Sequence, residues 1–154
     1  MSQLQVDSIS SIGGGQVDGT GKVIQFKEAV NTTPTVILDG ETDTILTLDF
    51  TPKFLDSIIL CQGFHSQDAC GGTESNYCNS YIFAGSIEVA RASAVGYKIS
   101  KAGDARFTYS YSGTTPSWGT TPLDIDLKVA AGIGDWTVSR NDLKTSLFVW
   151  EIAK

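Results

Sequence analysis

Thr145-Ser146-Leu147-Phe148-Val149-Trp150-Glu151-Ile152-Ala153 is the stretch that decides the fold class. β-Branched and aromatic residues dominate it, and such side chains suit a pleated, half-buried surface. On a two-residue period, Phe148, Trp150 and Ile152 share one face. Leu147, Val149 and Ala153 share the other, interrupted only by Glu151. Apolar side chains on both faces mark a central strand covered on both sides. Trp150 is therefore expected in the core. Only Lys154 follows, so the C-terminus is expected to be tied into the sheet.

The same period recurs upstream. Val23 to Val30 sets Ile24, Phe26 and Val30 on one face, and Thr35-Val36-Ile37-Leu38 is a short strand. In Thr44 to Phe50, Leu46, Leu48 and Phe50 alternate with Ile45, Thr47 and Asp49. Pro52 ends that run, since proline cannot donate to a central ladder. Ser57 to Phe64 reads as a buried strand, and His65 to Ser80 reads as a long polar loop. Strands follow at Tyr81 to Ala84, within Ser86 to Val95, and at Arg106 to Tyr111, where Phe107, Tyr109 and Tyr111 are expected inward. A Gly, Thr and Pro loop over 112–121 carries Trp118. Leu123, Ile125, Leu127 and Val129 then alternate with Asp124, Asp126 and Lys128, and Trp136 leads into the final strand. About nine short strands separated by turn signals predict an all-β protein, an antiparallel β-sandwich or jelly roll.

Residues 1–21 differ from the rest. Ser, Gln, Asp and Gly are frequent, yet Leu4, Val6, Ile9 and Ile12 are spaced through the segment. A purely flexible linker lacks such residues. The sequence predicts an extended N-terminal attachment arm over 1–21 and a β-sandwich head over 22–154. The arm needs another surface to bury its four apolar side chains.

The 154-residue length fits one domain, long enough to bury roughly 70% of its unfolded surface without a staple. A net charge of -6 argues against a nucleic-acid partner and against an anionic membrane surface. No signal peptide or membrane-spanning run is expected, and synthesis in a reducing cytosol follows.

Four residue groups were candidates for chemistry. Cys61, His65, Cys70 and Cys78 supply the right ligand types for zinc, but no Cys-x-x-Cys pair exists. Free thiols are the expectation, with a Cys70–Cys78 disulfide as the alternative, and no metal or cofactor is expected. Asp39, Glu41 and Asp43 miss the spacing of a calcium loop and read as a solvated turn. His65, the only histidine, has no nucleophile motif beside it, so no enzyme is expected. Trp118, in the Gly-rich loop, is either a lid over the sandwich end or an exposed contact. Asn76, Tyr77 and Asn79 in the long loop pose the same choice, with a solvated loop as the expectation. As contacts, Trp118, Tyr77 and Asn76 are the residues that would touch a receptor or partner.

The chain resembles a group of tail-fibre and virion surface domains of tailed bacteriophages, especially marine and cyanobacterial ones. The similarity runs through Leu4-Gln5-Val6-Asp7-Ser8-Ile9, Val23-Ile24-Gln25 and Leu48-Asp49-Phe50-Thr51-Pro52-Lys53, then Asp56-Ser57-Ile58-Ile59-Leu60. It ends with Trp136-Thr137-Val138-Ser139-Arg140 and Ser146 to Ala153. The chain departs from the group at Asp124 and Asp126, where Thr and Tyr are expected, and in its Cys-containing loop. The resemblance implies a virion structural protein assembled in the host bacterial cytoplasm, a homotrimer with an N-terminal arm. It suits a tail fibre or receptor-binding component touching host surface glycan. A capsid decoration protein is the alternative, and a free carbohydrate-binding module a weaker one. Apolar side chains expected outward, such as Ile45 and Leu147, agree with trimerisation.

Overall fold

The computed structural model describes residues 21–70, 75–97, 102–112, 119–139 and 144–153, with side chains at 21–65, 77–93, 119–139 and 144–153. Ten strands lie among them: β1 (Val23–Asn31), β2 (Thr35–Ile37), β3 (Thr42–Phe50), β4 (Ile58–Cys70), β5 (Ser75–Ala84), β6 (Ile87–Tyr97), β7 (Ala102–Ser112), β8 (Leu123–Ile133), β9 (Asp135–Val138) and β10 (Thr145–Ile152). No helix occurs among the described residues. The all-β expectation holds.

One sheet, here sheet A, contains β1, β10, β4, β9 and β2, with β7 on the far side of β4. The other, sheet B, has the order β3-β8-β5-β6. All pairings are antiparallel. β10 and β9 pair end to end along one edge of β4, through Ile58 to Phe64 and then Gln67 to Cys70. β1 and β2 line up on β10 and β9 in the same way. Sheet A is thus four strands wide. Counting each broken strand once, the orders are first-last-third-sixth and second-seventh-fourth-fifth. That interleaving of two four-stranded sheets is the jelly-roll topology.

The break between β9 and β10 starts at Ser139, whose φ of 60° is the left-handed region that non-glycine residues avoid. Its hydroxyl lies 2.6 Å from the Thr145 hydroxyl, and both residues are fully buried. This bond ties the end of β9 to the start of β10, and both strands pair along the same edge of β4.

The core fills the space between the sheets. Ile59, Cys61, Leu147 and Val149 line it from sheet A, and Leu48, Phe50, Ile82, Ile125, Leu127 and Val129 from sheet B. Trp136 on β9 is 1% exposed and is the largest fully buried side chain. The open side between β1 and β3 is bridged by side chains. Gln25 donates to the Thr51 carbonyl at 2.7 Å, and Lys27 to the Asp49 carbonyl at 2.7 Å.

Four expectations are corrected. His65 to Ser80 is no long loop. β4 runs on to Cys70 and β5 starts at Ser75, because β7 and β9 supply ladder partners for the polar residues of β4. Ile45 points inward although it stands next to inward Leu46. A register shift between Thr44 and Leu46 lets Ile45 and Leu46 both face the core. Leu147 is fully buried, since it lies on the inner face of β10. Trp150 is on the outer face of sheet A and only half-buried, so Trp136 occupies the core position instead.

Candidate functional site

Two outer surfaces and one buried hub carry the functional argument. The hub is Glu151. It sits on the inward face of β10 beside Leu147 and Val149, and it is fully buried. A bare carboxylate there would be very costly. The 51–57 connection from β3 to β4 wraps it. The Lys53 N–H donates to both carboxylate oxygens, at 2.9 and 3.0 Å. The Phe54 N–H donates at 2.9 Å, the Ser57 hydroxyl at 2.7 Å and the Gln25 amide at 2.8 Å. Burial by itself raises the carboxyl's pKa. The bonds from Lys53, Ser57, Phe54 and Gln25 outweigh it and hold the group below its ordinary range. Glu151 is therefore an internal anchor for a loop. The loop in turn presents Phe54 at 55% exposure and Leu55 at 69%.

The other interior polar groups are also used inside the sandwich. His65 is fully buried on β4, and its Nε2 lies 2.5 Å from the Ser80 hydroxyl of β5, across the core. Cys61 and Cys78 are buried free thiols, and burial pushes both up to about 12. Thiols held that high stay protonated at neutral pH and are poor nucleophiles. Of the proposed zinc set, Cys61, His65 and Cys78 thus face the core, and the side chain of Cys70 lies outside the described ones. Asp39 is engaged in its turn: its carboxylate accepts the Gly134 N–H at 2.8 Å, and its own N–H donates to Asp135 at 3.0 Å.

The outer face of sheet B is built for water. Arg91 lies over the Tyr81 ring at 4.9 Å and pairs with Glu88 at 2.9 Å. Lys128 lies over the Phe83 ring at 5.0 Å and pairs with Asp126 at 3.3 Å. Asp126 also accepts from the Thr47 hydroxyl at 2.7 Å. The Tyr81 and Phe83 rings are each covered by a cation that stays hydrated at its other side. Asp124 stands opposite Asp49, and the two carboxyls share a hydrogen bond. That bond, then burial, then the charges of Asp49 and Asp126 raise the Asp124 pKa.

The outer face of sheet A is the opposite. Phe26 stacks on Phe148 at 6.2 Å and lies 5.3 Å from Trp150, and Phe148 lies 5.8 Å from Trp150. Ile152 and Ile58 pair at one end of the patch, and Leu60 stands opposite Trp150. Phe26 is 48% exposed and Val30 43%. Among the described residues no cation covers these rings. Glu28 stands on the same face of β1, between Phe26 and Val30 and opposite Phe148. A contiguous apolar face of this kind marks an interaction surface.

Of the residues proposed from sequence, the described ones, Tyr77 and Asn76, lie on β5 of sheet B and not on this face. Tyr77 is exposed at the start of β5, and its ring lies against Gly132 of the neighbouring β8, where a Cβ would collide with it. Asn76 is on β5 opposite Gly96, with its side chain outside the described ones. Trp118 and the arm residues Leu4, Val6, Ile9 and Ile12 lie outside the described residues. Sequence reasoning missed Phe26, Phe54 and Leu55. The alternation of both strands is visible in the sequence, but the apolar residues on both faces of the last strand point to a Trp150 covered in the core.

No family model matches the chain, and no curated protein matches it in sequence. Among solved structures, it is similar to a chain of the infectious bursal disease virus Gt strain, with a TM-score of 0.49 and 10% identity over 97% of this chain and 43% of that one. It is also similar to the VP2 subviral particle of that virus, with a TM-score of 0.46 and 12% identity over 95% of this chain and 42% of that one. This chain therefore spans less than half the length of those it matches.

Proposed function

We propose that this chain is a non-enzymatic structural component of a bacteriophage virion. In this reading it is a tail-fibre or receptor-binding protein, anchored by its arm over 1–21 and trimeric through its head. The bare aromatic face of sheet A, set against the cation-covered face of sheet B, is the observation that carries the assembly role. One face suits water and the other suits a protein neighbour. The buried ionisable groups agree with a structural role, because Glu151 holds a loop and the Cys61 and Cys78 thiols stay protonated inside the core. The phage setting rests on the sequence resemblance. Leu4, Val6, Ile9 and Ile12 then bury against another virion protein, as a segment ordering on binding does. Trp118, Tyr77 and Asn76 are the residues that would meet host glycan.

Antibody raised against the head, applied to whole particles in the electron microscope, tests the reading. Label on the tail supports it. Label on the head shell moves the protein to a capsid decoration role. No label, with the protein absent from purified particles by mass spectrometry, overturns it.

A further inference from the structure

We infer that the trimer closes head to tail, with the Lys53-Phe54-Leu55 knob of one copy seated on the Phe26, Phe148 and Trp150 face of the next. The inference deepens the assembly reading above, and it is tested on purified protein, so it can fail while particle labelling succeeds.

Four observations lead to it. The knob exposes two large apolar side chains that a solvated loop does not need. Its backbone is fixed, because the buried Glu151 carboxylate takes the Lys53 and Phe54 N–H groups. A contact loop held in one conformation loses little entropy on binding. The face offers three stacked rings that its own copy leaves half open, and no ring contact joins Phe54 to them among the described residues. Exposed Lys53, at the start of the knob, is opposite in sign to exposed Glu28, which stands on the face between Phe26 and Val30, and exposed Asp56 follows the knob on its far side. Knob and face are different surfaces of one molecule. The knob caps the end of the sandwich between β3 and β4, whereas the face is the outside of sheet A. A contact between two different patches is heterologous, and it closes a ring only by rotation. The ring has about three members in the reading proposed here. A second copy is thus the occupant of the face, and the knob is what it inserts.

Heterologous contacts make a specific prediction on mixing. Phe54→Asp with Leu55→Asp spoils the knob and leaves the face intact. Phe26→Asp spoils the face and leaves the knob intact. Each variant alone should be monomeric by light scattering at a concentration where the wild type reports about three chains. Mixed, the two should form a one-to-one heterodimer, because one sound knob meets one sound face. Charge reversal gives a second route that disturbs no apolar packing. Lys53→Glu alone, or Glu28→Lys alone, should weaken assembly about tenfold, and the double reversal should restore it. Three results would overturn the inference: a monomeric wild type at micromolar concentration, a knob variant that still assembles, or a mixture that stays monomeric while both variants melt like the wild type.

Discussion

Replacing Glu151 tests whether one buried carboxylate organises the end of the sandwich. Glu151→Ala removes the acceptor for four donors: the Lys53 and Phe54 N–H groups, the Ser57 hydroxyl and the Gln25 amide. A hydrogen bond to a charged acceptor contributes about 1.5–3 kcal/mol, and a buried donor left without one costs a similar amount. Water reaches the exposed Lys53 and Phe54 more easily than buried Ser57. Counting Ser57 fully and the other three together as about one bond, the loss is about 3–6 kcal/mol. Glu151→Gln keeps the shape but turns one acceptor into a donor facing an N–H, for about 2–3 kcal/mol. The pH dependence gives an independent reading. The folded-state pKa is below the ordinary 4.5, so the carboxylate's contribution is complete above that pH. It is lost as pH falls through the lower folded value. The gap between wild type and Glu151→Gln should therefore be widest at neutral pH and narrow in acid. Urea unfolding of the three proteins across that range measures both effects. A Glu151→Ala loss below about 1 kcal/mol, or a gap that does not change with pH, would refute the reasoning.

Three other outcomes are expected. Trp136→Ala should cost about 3–5 kcal/mol by chemical denaturation, and half-buried Trp150→Ala, expected from sequence to be a core residue, only about 1–2. Cys61 and Cys78, with thiols pushed up to about 12, should resist a thiol reagent at pH 8 in the native protein and react fully in urea. Deleting residues 1–20 stops short of Gly21, whose N–H bonds the Ala153 carbonyl at 2.7 Å. The shortened protein should melt within a few degrees of the full chain by calorimetry and fail to enter particles.

Much of this fold is legible in the sequence. The two-residue period of β8 is clean, and its inward Ile125, Leu127 and Val129 are all fully buried. Strand order and sheet membership are not legible, because they depend on partners distant in the chain. β4 shows why. Ser66, Gln67 and Asp68 look like loop by composition, yet ladder bonds to β7 and β9 keep them extended. The shift near Ile45 was equally hidden, since one extra residue in a strand changes no composition. Glu151 was visible as an interruption in an apolar face. Its meaning needed the loop from Thr51 to Ser57, which is distant in sequence and adjacent in space. That same contact joins two parts of the bacteriophage resemblance, the Thr51-Pro52-Lys53 to Ser57 step and the Glu151-Ile152-Ala153 ending. Lys53, Phe54, Ser57 and Glu151 hold the sandwich end together.

The account rests on sheet A facing a protein neighbour and sheet B facing water. Hydroxyl-radical footprinting, read by mass spectrometry on the isolated chain at low concentration and on the assembled particle, compares the two directly. Phe26, Phe148 and Trp150 should label in the isolated chain and be protected in the particle, while Tyr81 and Phe83 label equally in both. Unchanged labelling of the sheet A rings, or protection of Tyr81 and Phe83 instead, would contradict the account.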